Sequence, residues 1–252
     1  MSEKFYHEVT DKQWEIIKAQ LPKPKTTGRP ALNPRTVFNA ILWILSSGAK
    51  WRYIPKEYGN WNSIYHKFRQ WCKLGIFEKI LKALTDSKYS LLEMDSTFCK
   101  VHQNATGALK KLGDQAIGVS RGGKTTKIHV LVNENFQLIK VILTGGEVHD
   151  SECAIDLLKS VEMEGKSVLA DKAFSCENIR SYIENHNGVA CIPDKSNAVV
   201  KHTFDKELYK SRNVIERFFQ RIKKYRHIST RYDKLTVCFL NFVLLAAIMI
   251  QI

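Results

Sequence analysis

The sequence predicts an α/β protein in two parts, an all-α domain over residues 1–89 and then a domain with a mixed sheet covered by helices over residues 90–252. Three observations carry this reading. The first third is punctuated by helix caps and helix-spaced apolar residues, with no run of strand character. From about residue 90 onward short β-rich runs alternate with helical ones, the pattern of a sheet with helices on its faces. Charge divides at the same place: residues 1–90 hold 16 Lys+Arg against 7 Asp+Glu, net +9, whereas residues 91–252 hold 23 against 18, net +5.

In the first domain, Thr10-Asp11-Lys12-Gln13 fits a capping box, with Val9 and Trp14 placed to form a hydrophobic staple, and the helix stops at Leu21-Pro22. A basic linker, residues 23–30, leads to Asn33-Pro34, a cap followed by proline at the first helical position; the apolar run after it ends at Gly48. After the Gly59-Asn60 turn, Asn62 or Ser63 is the expected cap of a third helix. Ile64, Phe68 and Trp71 recur there at helical spacing, turning His66, Lys67, Arg69, Gln70 and Lys73 toward other faces. A short helix, a turn and a basic amphipathic helix are the parts of a helix-turn-helix, so Lys67, Arg69 and Lys73 are the expected DNA contacts.

The second domain opens with a strand from Leu91 to about Thr97 that carries Asp95 at its end. A hairpin (128–132 and 138–143) turns at Asn133-Glu134-Asn135, a helical segment covers 150–161, and a fourth strand, Ser167–Ala170, runs into Asp171. A helix over Glu177–Asn185, a strand over 189–192, a polar stretch over 193–206 that reads as a mobile loop, and a helix from Tyr209 to Lys223 complete the sheet domain. The last helix, 237–250, spans 14 apolar positions interrupted by Asn241, short of the roughly 20 that cross a bilayer, so it reads as buried.

With 39 Lys+Arg against 25 Asp+Glu, the net charge is +14, and 44% of residues are hydrophobic. That composition excludes disorder, collagen-like repeats and a polytopic membrane protein, and the excess charge points to a polyanionic partner, nucleic acid first. Six cysteines without a CxxC, and no export-type segment at the start, fit reduced thiols in a cytosol.

Asp95 and Asp171 each close an apolar strand, where a lone carboxylate is costly unless paired or bound to a cation. In the helix from Tyr209, Glu216 lies about 40° and Lys223 about 20° around the axis from Arg212, so the three share a face. Ile215, Phe218 and Ile222 form the adjacent apolar stripe, while Arg217, Arg221 and Lys224 face away. Three carboxylates without a Cys/His set suit Mg²⁺ or Mn²⁺, and such a site can hold two ions for phosphoryl transfer on nucleic acid.

Met94-Asp95-Ser96-Thr97, Leu169-Ala170-Asp171-Lys172-Ala173-Phe174 and Tyr209-x2-Arg212-x3-Glu216-x6-Lys223 resemble the three blocks of the DDE transposases of bacterial insertion sequences, in particular the IS-five group. The stretches Val119 to His129, Leu143-Thr144-Gly145-Gly146 with His149-Asp150, Thr230-Arg231-Tyr232-Asp233-Lys234-Leu235, Gly28-Arg29-Pro30 and Ser47 to Pro55 are similar to that group as well. The resemblance implies a ribonuclease-H-like second domain with Asp95, Asp171 and Glu216 as catalytic metal ligands. It implies DNA contacts from Tyr209, Arg212 and Lys223, and excision and reinsertion of the element as the activity. The expected partners are double-stranded DNA, at terminal inverted repeats and a target site, and a second copy of the chain, as a homodimer or larger assembly on DNA. The expected place is the bacterial cytoplasm, at the nucleoid, with no membrane. Two other readings stand beside it: a sequence-specific DNA-binding regulator with an inert second domain, and a metal-dependent nuclease without strand transfer.

Overall fold

The computed structural model describes residues 8–23, 32–86 and 88–252; the motif Gly28-Arg29-Pro30 lies outside the described residues. The chain divides into two compact units, Thr85–Arg221 and Met1–Leu84 with Ile222–Ile252. The second unit differs from the expected single run of 90–252, because the C-terminal 31 residues pack with the N-terminal helices. The reason is α10 (Thr236–Gln251), which follows the short α9 (Arg226–Ser229) and is apolar on every side. A helix of that kind must be covered all round.

In the helical unit, α1 (Asp11–Ala19) starts on the expected capping box, with Thr10 accepting from the Gln13 N–H. α2 (Pro34–Ser47) is capped by Asn33, whose side chain accepts from the N–H groups of Arg35 and Thr36. It ends at Gly48, where φ is +65° and an added Cβ would lie 3.0 Å from the Arg226 Cβ. Both the left-handed backbone and that close approach require glycine. α3 (Trp61–Lys73) is capped by Asn60 rather than Asn62 or Ser63: the Asn60 carboxamide accepts from the N–H groups of both, at 2.9 and 3.4 Å. Asparagine at this position outcompetes the later serine because its acceptor reaches two orphan donors of the first turn. Ile64, Phe68 and Trp71 are fully buried as their spacing predicts. α4 (Ile76–Leu84) follows, and the Phe242 ring of α10 packs tilted against Phe68 at 4.7 Å and Trp51 at 6.0 Å between centroids. Among the described residues no helix is long and apolar enough to cross a membrane.

The other unit is built on a sheet of β1 (Leu91–Val101), β2 (Gly118–Ser120), β3 (Gly123–Asn133), β4 (Leu138–Gly145), β5 (Ser167–Ala170) and β6 (Val189–Cys191). β1 is central, antiparallel to β3 on one side and parallel to β5 on the other. β4 continues antiparallel from β3 and β6 parallel from β5, giving the order β4-β3-β1-β5-β6, with β2 on the start of β3. Three antiparallel strands followed by two parallel ones form the ribonuclease-H-like sheet. One face buries Leu92, Met94, Leu131, Val168 and Ala170 with Leu157 and Leu158 of α5 (Ala154–Leu158) and Ile179 and Ile183 of α6 (Glu177–Asn185).

Three expectations change here. β1 does not end near Thr97 but runs to Val101, so Asp95 sits in mid-strand; antiparallel pairing with β3 continues as far as Lys100↔Thr125, and only the parallel pairing with β5 stops at Met94↔Ala170. The helix expected from Tyr209 to Lys223 is two helices, α7 (Lys206–Tyr209) and α8 (Asn213–Lys223), because residues 210–212 form a turn. The stretch 193–206 is pinned rather than mobile: Asp194 accepts from the buried Arg180 at 2.8 Å and from the His202 backbone at 2.6 Å.

Candidate active site

Strand alternation decides which side chains meet. Met94 pairs with Ala170 on the core face, so the next residues, Asp95 and Asp171, emerge on the opposite face. Asp171 keeps an extended backbone (φ −78°, ψ 175°) and then caps a short 3₁₀ turn, its carboxylate accepting the Ala173 N–H at 2.7 Å. Asp95 accepts the Ser96 N–H at 2.7 Å. Burial pushes the Asp95 carboxyl above the ordinary carboxylate range, and the charge of Asp171 pushes the same way, against the pull of Ser96 and Arg212.

Arg212, in the turn before α8, joins this pair to the third acid. Its Nη1 lies 3.2 Å from Asp95 Oδ2 and its Nη2 3.2 Å from Glu216 Oε1. The guanidinium is mostly buried and Glu216 is more than half exposed, so the arginine is fixed and the glutamate reaches toward solvent. Tyr209 lies under Arg212, its ring centroid 5.8 Å from the guanidinium carbon, with Phe204 at its edge. Burial raises the Tyr209 hydroxyl, and Asp171 contributes to the rise. Asp95, Asp171, Tyr209, Arg212 and Glu216 are thus linked by contact or by charge. Lys223 closes α8, and its carbonyl accepts the Ser229 hydroxyl at 2.6 Å. It falls outside this compact unit.

Glu93 is the residue that sequence reasoning passed over. It is fully buried on the same face of β1 as Asp95, and its Oε2 accepts the Ile215 N–H at 2.9 Å, while Oε1 has no partner. Desolvation drives its pKa up to about 7. The available signal was a charged residue two positions before Asp95 in an apolar strand, which strand alternation alone would have put beside it. On the reverse face, Ser96 donates to Asp150 at 2.7 Å and the buried Lys127 ammonium lies 2.8 Å from the same oxygen. Asp150 of the His149-Asp150 pair therefore backs the strand beside Asp95. His129 is fully buried, its Nε2 2.8 Å from the Thr144 hydroxyl.

Among the described residues, no three Asp, Glu, His or Cys side chains are arranged to hold a metal ion as they stand. The chemistry of the donor set fits one nonetheless: carboxylate oxygens are the ligands that a hard divalent cation takes, the charge of Asp171 acts on Asp95, and Arg212 is the cation that now contacts both Asp95 and Glu216.

Of the expected contacts on α3, Lys73 is exposed and Lys67 donates to Gln70 at 3.1 Å. Arg69 is turned inward against Tyr65, at 3.3 Å from its hydroxyl, with Nε buried and unpartnered.

Comparison with known proteins places this geometry. Residues 86–250 match the family model for the transposase DDE domain, and residues 9–81 match that of transposases of the IS4/5 family (DUF4096). The transposase named for insertion sequence element IS6501 of Brucella ovis is 35% identical over 127 residues, half of this chain and 97% of that one. Protein y4sN of Sinorhizobium fredii, itself uncharacterised, is 31% identical over 105 residues, 41% of this chain and 84% of that one. A solved pre-cleavage transpososome of Mos1 aligns over 82% of this chain and 81% of that one, at 11% identity and a TM-score of 0.30, too loose to carry the fold, which rests on the strand order. The sheet topology and the match over about two thirds of the chain define a DDE transposase, an enzyme that works with divalent metal ions. Within that class the chain belongs to the IS4/5 family of insertion-sequence DNA transposases.

Proposed function

We propose that Asp95, Asp171 and Glu216 are the catalytic metal ligands, that they hold two Mg²⁺ ions (Mn²⁺ substituting), and that the chain cuts and rejoins DNA at the terminal inverted repeats of its own element. The observation that carries this reading is the Arg212 bridge: one guanidinium contacts both Asp95 and Glu216, bringing acids 121 positions apart in the chain to one spot, with Asp171 close enough to perturb Asp95. When bound, a divalent metal pair polarises the phosphodiester and stabilises the attacking and leaving oxygens of an in-line displacement.

The chain's own residues do the rest. A backbone N–H holds one oxygen of Asp95 and one of Asp171, which fixes the orientation of both carboxylates. Glu216 swings from Arg212 to close the site, and the released guanidinium is then free to take a phosphate of the bound strand, where its planar fork fits best. Tyr209 supports Arg212 from below and contacts the DNA backbone, and Lys223 adds a charge at the far end of α8. The helical unit reads the terminal repeats through α3, with Lys67 and Lys73 on phosphates; the inward turn of Arg69 reduces its part. The working assembly is a homodimer or larger on DNA, in the bacterial cytoplasm at the nucleoid. Titration of the full chain with Mn²⁺, followed by electron paramagnetic resonance, tests the ligand set: Asp95→Asn and Glu216→Gln should each weaken binding tenfold or more, and unchanged binding in either rules that residue out as a ligand.

A further inference from the structure

Arg217 and Arg221 stack on the same aromatic ring: their guanidinium carbons lie 4.8 and 4.5 Å from the centroid of Phe136. Both are exposed, and neither forms an ion pair with any described carboxylate. They occupy successive turns of α8, directly after Glu216. Phe136 is itself unusual. It sits in the β3–β4 turn at φ +61°, a left-handed conformation that a bulky residue adopts only under constraint.

That constraint is visible. The fully buried Asn133 accepts the N–H groups of Asn135 and Gln137, both at 3.0 Å, and donates to the Gln137 side chain at 2.7 Å. The turn is thus locked around Phe136, and the ring is offered to α8 at a fixed height.

We infer that Arg217, Phe136 and Arg221 form a preorganised clamp for the phosphodiester backbone of bound DNA, on a face of α8 turned away from Glu216 and distinct from the Tyr209, Arg212 and Lys223 set. Two like charges held side by side repel each other, and an anion between them relieves that repulsion. The ring restrains both flexible side chains before any ligand arrives, which lowers the ordering cost of binding. Guanidinium is also the cation best suited to phosphate, through paired N–H donors. Phosphate is the anion that a transposase meets in quantity, so the inference rests on the reading of this chain as one that binds DNA. The contact carries no sequence information.

The test uses the full chain, a fluorescein-labelled duplex of arbitrary sequence and EDTA, with affinity measured across a salt series. The double variant Arg217→Gln/Arg221→Gln should bind at least tenfold more weakly at low salt, and its slope of log affinity against log salt should fall by about 1.8, about 0.9 for each lost phosphate contact. Phe136→Leu keeps both charges and should keep the slope while losing several-fold in affinity. A double variant with wild-type affinity and slope overturns the clamp, whatever its melting temperature, because a purely structural role for the stacking moves stability and leaves DNA binding alone. A wild-type chain that binds but never nicks DNA with Mg²⁺ or Mn²⁺ defeats the catalytic reading and leaves the clamp standing, so the two failures are separable.

Discussion

The carboxylate of Glu93 accepts the backbone N–H of Ile215 at 2.9 Å, tying the strand that carries Asp95 to the first turn of the helix that carries Glu216. The bond fills one of the orphan donors at the start of α8. It therefore fixes the height of Glu216 against Asp95. Glu93→Ala should leave that N–H buried and unpaired, costing about 1 to 3 kcal/mol of stability and lowering DNA cleavage far more than DNA binding. Glu93→Gln retains a carbonyl acceptor and should keep most of the activity. Because burial raises the folded-state pKa to about 7 from the ordinary 4.5, the wild-type residue is comfortable protonated and costs stability once ionised. Its contribution is complete below pH 4.5 and is lost as pH rises through 7. Urea midpoints at pH 6 and pH 9 should thus drop further for wild type than for Glu93→Gln, and equal drops contradict the assignment.

Much of this was readable before any coordinates. The caps at Thr10 and Asn33, the strand Ser167–Ala170 and the helix Glu177–Asn185 follow from local chemistry, and each stands where that chemistry puts it. What local chemistry could not supply was long-range. β1 outruns its apolar stretch because β3 continues to pair with it through Lys100, and no pattern within residues 95–101 announces a partner 25 positions later. The division of the 209–223 helix came from a turn at 210–212 that preserves the Arg212–Glu216 pair, so the face predicted by helical geometry survived a break in the helix itself. The Phe136 stacking is legible only in three dimensions, since Arg217 and Arg221 look like solvated charges on a helical wheel.

Arg212 contacts both Asp95 and Glu216, so on the proposed ligand set it would compete with a metal ion for them. Removing its charge should leave those carboxylates without their resident cation and tighten Mn²⁺ binding to the DNA-free chain by about tenfold, roughly 1.4 kcal/mol. Arg212→Gln should at the same time cut DNA poorly, because the phosphate contact proposed for that guanidinium is gone. Weaker Mn²⁺ binding in the variant means that Arg212 supports the metal site instead of occupying it.

His129 gives the protein an acid-sensitive core. Burial lowers its pKa from 6.5 to about 4, so the imidazole stays neutral in the fold while the unfolded chain takes up a proton. The stability it contributes is complete above pH 6.5 and is lost as pH falls through 4, up to about 3 kcal/mol over that window. His129→Gln should flatten the pH dependence of the urea midpoint between 6.5 and 4. A variant as acid-sensitive as wild type in that range places the effect elsewhere.

On α3 the three basic residues should behave differently. Lys73 is exposed, and Lys73→Gln should lower the salt slope of terminal-repeat binding by about 0.9, with Lys67→Gln similar. Arg69, held by the Tyr65 hydroxyl, should affect folding stability more than the slope. Equal slope changes for all three show that Arg69 turns outward to meet DNA.

The central claim is that Asp95, Asp171 and Glu216 do the chemistry, and Asp171→Asn tests it most directly. The substitution keeps shape and the acceptor for the Ala173 N–H but removes a ligand charge. Purified chain is incubated with a labelled terminal repeat, a target duplex and Mg²⁺ or Mn²⁺, and nicked and joined products are counted. Wild type should nick and join; Asp171→Asn should fall at least a hundredfold in rate, about 3 kcal/mol of lost transition-state stabilisation, while binding the repeat as tightly as before. Nicking without joining would mark a nuclease, and binding without nicking a regulator. Cleavage that persists undiminished in the Asp171→Asn protein would contradict the account.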